Sequence, residues 1–316
     1  MAEKYPALRY SDNVWEDCKN GVWTVECDSW KEFEKRIEEY KKYAYVWRGQ
    51  SCEKPLLPTI YRGHKKPNVK NINKHLKQFR NDMPGSDALE QFLKQAKEEK
   101  TEDFEKAFSK YCNMICPRED VNDLKGNYVT DFINDIYWAI GQHHGLKTPL
   151  LDWTMDPYKA LFFAFCERKE NNDKRVVFGL AEKTRRLLRK KQRIKRYIEL
   201  LTNLDFVRTI WSSSNIPPDF KERIRPMFER IKAQDGIFTH SLHIEHVEKH
   251  AKRCYSHFKK DRNEEIVFLI KILIPDGVRE DFLEKLEGKK ITYKTMFPDL
   301  KGAALYCNLK LESIAM

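Results

Sequence analysis

The sequence predicts an α+β fold: a single mixed sheet at the core, with helical insertions around it. Apolar runs of strand length stand at 43–47, at 175–182 (RVVFGLAE) and, strongest of all, at 264–274 (EEIVFLIKILI). Between them lie longer charged segments whose apolar residues recur at helical spacing. No internal repeat and no Gly/Ser/Pro-rich linker divides the 316 residues, so one domain over 1–316 is the simplest organisation.

The elements follow in order. Residues 1–27 are irregular, with short apolar groups that suit an edge strand. Ser29-Trp30-Lys31-Glu32 has the form of a capping box, opening a helix with Phe33, Ile37 and Tyr40 on one face. The strand at 43–47 is expected to deliver Arg48-Gly49-Gln50 into a loop, and 56–62 (LLPTIYR) to run extended. Residues 71–116 read as helical, interrupted at Pro84-Gly85, and a second long helix covers about 129–143. Helices are expected again over 220–231 and 278–286, with Ile237-Phe238-Thr239 as a short strand after the Asp235-Gly236 turn.

The organising stretch is 142–165, QHHGLKTPLLDWTMDPYKALFFAF. Pro157 suits the first turn of a helix, where its missing N–H costs nothing, with Asp156 as N-cap. That helix is apolar nearly all round and should be buried. The His, Thr and Asp residues ahead of it, pinned to a buried element, are placed as a scaffold places ligand-binding groups. Capping by Asp152 and Thr154 is the simpler reading, but it leaves Gln142-His143-His144-Gly145 without a role. Arg48, beside Gly49, suits a phosphate or carboxylate, or equally an internal carboxylate partner. Arg48, His143, Asp152 and Gln234 are all expected in loops that follow apolar segments, converging on one cleft.

Net charge is +11, with a pI near 9.1, which points to an acidic partner: nucleic acid, a phosphorylated cofactor or an anionic surface. The run 183–196 (KTRRLLRKKQRIKR) holds nine basic residues and no acid. It is expected to form an amphipathic helix within a basic insertion at about 183–232. Its basic face is either simply solvated or binds phosphates through Arg189, Lys190, Arg193 and Arg196. An acidic protein that neutralises the chain is the other partner such charge would suit. Eight dispersed cysteines without a CxxC suggest reduced thiols in a cytoplasm, and no apolar run spans a membrane. His243, His246 and His250 share a helical phase, but no Cys or carboxylate pattern completes a metal site, and none is expected. P-loop, dinucleotide-binding, nucleophile-elbow and HExxH signatures are missing.

Four segments in this order resemble the FRG domain family: YVWRGQ (45–50) with LLPTIYR (56–62), QHHGLKTPLLDWT (142–154), AQDGIFTH (233–240) and MFPDLKGAALY near the C-terminus. Trp47 stands where the family's Phe usually does. The resemblance implies a bacterial defence or toxin context. Its motif order is similar to that of ADP-ribosyltransferases, which implies a related fold and NAD as cofactor. Under that resemblance Arg48, with Gln50 and Arg62 from the same segments, takes the early Arg position. Thr148 or Thr154 takes the Ser/Thr position, and Gln234 the late catalytic one. His143 or His144 would hold the ribose or nicotinamide side. Gln234 carries no charge where a carboxylate is wanted, and Asp152 is the residue that can supply it. The alternatives are a non-catalytic nucleotide- or nucleic-acid-binding module, and a metal-independent RNase using His143 and His144 as acid and base.

Overall fold

The computed structural model describes residues 18–19, 21–41, 45–62, 68–99, 127–168, 174–181, 198–201, 218–241, 246–262 and 267–314. It is α+β. The chain divides into two compact units and alternates between them: unit 1 takes 1–56, 153–195 and 245–295, and unit 2 takes 57–152, 196–244 and 296–316. The basic run 183–196, with Arg189, Lys190, Arg193 and Arg196, lies outside the described residues.

Unit 1 is built on a mixed sheet. Its strands are β1 (Cys18–Lys19), β2 (Val22–Glu26), β3 (Tyr45–Gln50), the end of β4 (Leu150–Thr154), β5 (Arg175–Ala181) and β8 (Leu269–Ile274). Their order is β1-β2-β8-β5-β3-β4. The β2–β8 pair is parallel; the other described pairs here are antiparallel. Helix α1 (Trp30–Lys41) starts as its capping box requires, with the Glu32 amide donating to Ser29 Oγ at 3.4 Å.

Helix α5 (Pro157–Phe165) is the apolar helix expected after Asp156-Pro157. Asp156 is its N-cap, accepting from the Tyr158 amide at 2.8 Å, and Ala160, Leu161, Phe162, Ala164 and Phe165 are buried. Its C-terminal carbonyls have no partners within the helix, and two buried arginines supply them. Arg175 Nη1 donates to Ala164 O at 3.1 Å and to Glu167 O at 2.9 Å, while its Nε donates to Asp276 at 2.6 Å. Arg279 Nε donates to Phe165 O at 3.0 Å, and the Tyr293 hydroxyl donates to Cys166 O at 2.8 Å. The cations also oppose the negative end of the helix dipole. Helix α8 (Arg279–Gly288) packs Phe282 against Phe165, Phe33 and Trp30.

Unit 2 contains α2 (Val69–Asp82), α3 (Ser86–Glu98), α4 (Asn127–His143) and α6 (Pro218–Ala233), together with the antiparallel pair β6 (Ile198–Leu201) and β7 (Gly236–Ser241). Its core joins Leu76, Leu89, Tyr137, Ile140, Ile224 and Phe228. The described parts of the expected basic insertion are β6 and most of α6, and α6 supplies core residues. The Pro84-Gly85 break separates α2 from α3, with Gly85 at φ 82°. Helix α7 (Val247–Arg262) belongs to unit 1 and α10 (Leu300–Ile314) to unit 2, while the short α9 (Tyr293–Met296) lies in unit 1 up to Thr295.

Three expectations need correcting. Arg48-Gly49-Gln50 does not leave the sheet, because β3 runs through to Gln50. Asp152 lies inside β4 rather than in a loop, and His143 is the last residue of α4. Only Gln234 occupies a turn, directly after α6. The strand expected from 264 starts at Leu269 among the described residues.

Candidate functional site

The site residues fall into groups, each built by its own local logic. The first lies in unit 1, on β3. Arg48 is registered opposite Phe178 on β5, and Phe178 opposite Lys271 on β8. Side chains alternate along a strand, so these three share one face as a cross-strand row. Trp47 pairs with Thr154, so alternation puts Trp153 on the Arg48 face of β4. Arg48 is half-buried, while Phe178 and Trp153 are buried. Lys271 Nζ stands 6.0 Å from the Phe178 ring centroid and 2.6 Å from Glu53. Two cations and two aromatics thus line a rigid sheet surface. Gln50 points its amide at the following loop, donating to Cys52 O at 2.8 Å and Lys54 O at 2.7 Å.

The opposite face explains the glycine in Arg-Gly-Gln. A Cβ at Gly49 would stand 1.8 Å from Ala160 O, so α5 rests directly on the strand. The close approach that glycine permits is taken by the protein's own helix. Trp47 lies against Gly179 on the same face.

The second group, in unit 2, ties the motif segments together. The Gln142 carboxamide donates from Nε2 to Asp152 Oδ1 at 2.5 Å and accepts from the Thr148 hydroxyl at Oε1. Thr148 is buried. Its hydroxyl also accepts from the Leu150 amide at 3.3 Å, its own amide donates to Thr59 Oγ1 at 3.0 Å, and its carbonyl accepts from the Ile60 amide at 3.2 Å. Asp152 is the exposed residue of an otherwise buried β4. The network therefore holds an outward carboxylate in a single pose. Arg62 is exposed and donates to Leu57 O at 2.7 Å. In unit 1, Thr154 is buried and accepts from the Asp156 amide at 3.1 Å.

The third group closes the end of α4. Burial, then the nearby Arg230 and His144, push the half-buried His143 down to about 4. His143 is neutral near pH 7. Its ring meets that of the exposed His144 at 5.0 Å. Arg230 pairs with Asp299 at 2.8 Å, and Gln234, one helical turn beyond Arg230, donates to Met296 O at 3.1 Å. Partial burial works against the Asp299 carboxylate, yet the Gly302 amide and Arg230 hold it below its ordinary range. The QHHG, AQDG and MFPD segments thus meet here.

One arrangement had no local signal. Buried Asp135 on α4 contacts His240 Nδ1 at 2.7 Å. The partners are 105 residues apart, so only the fold brings them together. Among the described residues no cluster of three or more His, Cys, Asp or Glu is arranged to hold a metal, and no helix is long and apolar enough to cross a membrane.

Residues 43–173 match the FRG domain family. The chain carries an FRG domain. No curated protein and no solved structure is similar enough to count as a match. The FRG region contains the Arg48 strand, the Gln142–Thr148–Asp152 network and the buried helix α5, so its motif residues divide between framework positions and more exposed ones. Gly49, Thr148 and Asp156 are framework; Arg48 and Asp152 present charge outward or partly so.

Proposed function

We propose that this FRG-domain protein binds a phosphorylated nucleotide, NAD above all, and transfers its ADP-ribose to nucleic acid or another acidic macromolecule in a bacterial defence or toxin setting. The observation that carries the reading is the row of Arg48 and Lys271 on one sheet face with Phe178 and Trp153. A planar guanidinium donates in a fork that matches a pyrophosphate, and aromatic neighbours keep that fork dry and fixed. The fit is incomplete at the late catalytic position, where Gln234 carries no charge and donates to Met296 O. In this reading Asp152 supplies the negative charge that opposes the oxocarbenium-like transition state as nicotinamide departs. His143, neutral near pH 7, holds the substrate by hydrogen bonds rather than charge. The net charge of +11 favours a polyanionic acceptor, with Arg189, Lys190, Arg193 and Arg196 as its expected contacts.

Calorimetry with NAD and ADP-ribose tests the binding step. Arg48→Lys should weaken NAD binding about tenfold or more, because the fork is lost while the charge remains. Mass spectrometry of RNA, DNA and protein incubated with labelled NAD tests transfer. Failure to bind either nucleotide would sink the reading. The engaged amide of Gln234 favours a second reading, a nucleotide-binding module without catalysis; binding with no labelled acceptor would select it.

A further inference from the structure

Lys271 is the one charged residue of β8 (LIKILI), whose other five residues are buried. An apolar side chain of that length would pack there without desolvating a charge, so stability alone does not call for a cation. Its ammonium stands 2.6 Å from Glu53 Oε1, with 17% of the lysine side chain and 48% of the glutamate exposed. Glu53 does not belong to the sheet. It lies three residues beyond β3, at the apex of a γ-turn that the Lys54 amide closes by donating to Cys52 O at 2.9 Å. The Gln50 carboxamide donates to the carbonyls on either side of it, Cys52 O and Lys54 O. The last residue of β3 thus fixes the turn, and the turn sets the Glu53 carboxylate at the Lys271 end of the row of Arg48, Phe178 and Lys271. Other acids nearby are engaged elsewhere. Glu26, on the same face of β2, pairs with Lys174, and Glu248 accepts from the Leu56 amide.

We propose that Glu53 is a built-in stand-in for a ligand phosphate, pairing with Lys271 until a phosphate displaces it. This rests on the reading of that face as a nucleotide site and adds how the site is regulated. A carboxylate and a phosphate both place oxygens on an ammonium, and the phosphate brings more charge and more acceptors. The two anions cannot share one lysine, because like charges in contact repel. Neighbouring strands stand about 4.8 Å apart, which puts the Arg48 and Lys271 backbones about 10 Å apart. Two long side chains close that gap around a pyrophosphate. Because Gln50 holds the backbone of the turn, opening needs only a rotation of the Glu53 side chain. The device sets a threshold: a singly charged anion leaves the ion pair closed, and a diphosphate opens it.

Calorimetry of the full chain with pyrophosphate and with ADP-ribose tests this. Glu53→Gln keeps the shape of the side chain and removes its charge, and should tighten both ligands about fivefold or more. Damage to the fold would weaken binding, so a gain is the signature. Asp281→Asn removes one charge from an exposed position on α8, on the α5 side of the sheet, and should change affinity less than about twofold. In a Lys271→Met background, adding Glu53→Gln should bring no gain beyond about twofold. Equal binding of ADP-ribose by wild type and Glu53→Gln would overturn the gate and leave the nucleotide site standing. A gain matched by Asp281→Asn, or one that persists without Lys271, would overturn it as well. Binding of neither ligand to wild type or Glu53→Gln would remove the nucleotide reading and the gate together.

Discussion

Gly49 on β3 lies beneath the carbonyl oxygen of Ala160, so close that a Cβ there would stand 1.8 Å from it. Next to it, at Ala164 N, the same Cβ would stand at 2.6 Å. Both obstacles are helix backbone, which cannot swing aside as a side chain can. Gly49→Ala should therefore cost about 3 kcal/mol or more by forcing α5 off the sheet. Urea unfolding of wild type and variant measures it. A midpoint unmoved by the extra methyl would mean that α5 does not bear on this strand.

Arg175 offers a sharper test of what holds α5 at its other end. The guanidinium is fully buried and bonded to Asp276, Ala164 O and Glu167 O. Arg175→Met leaves a carboxylate and two carbonyls without their donor, and should cost about 3–5 kcal/mol. Asp276→Asn should cost less, since the amide still accepts. Equal losses in the two variants would show that the ion pair, and not the carbonyls, is what the arginine serves.

Asp152→Asn separates chemistry from framework. Asparagine is close to isosteric and β4 remains buried around it, so the unfolding midpoint should barely move. If Asp152 supplies transition-state charge, turnover of NAD should fall about 10²–10³-fold. Unaltered turnover would take Asp152 out of the mechanism and leave it as Gln142's partner.

These residues also show what could be read without the fold. The Ser29 and Asp156 caps were legible because a cap is a local pattern, as was the apolar helix after Pro157. Arg48-Gly49-Gln50 was not. A glycine after an arginine suggests a break, and the helix backbone that needs its missing side chain lies more than a hundred residues on. Leu150–Thr154 carries no alternation, since every residue but Asp152 is buried, so its strand has no period of two to show. Asp135–His240 escaped for a related reason: each residue is unremarkable in its own segment. The site residues themselves were picked out by type and context, and what the sequence lacked was their partners: Thr59 for Thr148 and Met296 for Gln234.

His143 sets a pH dependence of defined sign. Its folded-state value is lowered to about 4 from the ordinary 6.5, first by burial and then by Arg230 and His144. Below about pH 6.5 the unfolded chain takes up a proton that the folded chain refuses until about pH 4. Stability should thus fall with pH across this window. One proton gives at most about 1.4 kcal/mol per pH unit, and partial exposure reduces that. Urea titrations at neutral and acidic pH should show a smaller acid loss in His143→Gln than in wild type. Matching losses would assign the acid sensitivity to other groups.

The alternation of the chain between its two units has a bearing on how the protein can be dissected. Six segments take turns, so the polypeptide crosses five times, once between Asp152 and Trp153 in the middle of β4. Neither unit corresponds to any single stretch of gene. A fragment ending at any of the three middle crossings would carry pieces of both units and complete neither. Deletion mapping, the usual way to assign an activity to part of a protein, will report misfolding here. Point substitutions at exposed side chains such as Asp152 and Glu53 are the instrument that leaves both cores whole.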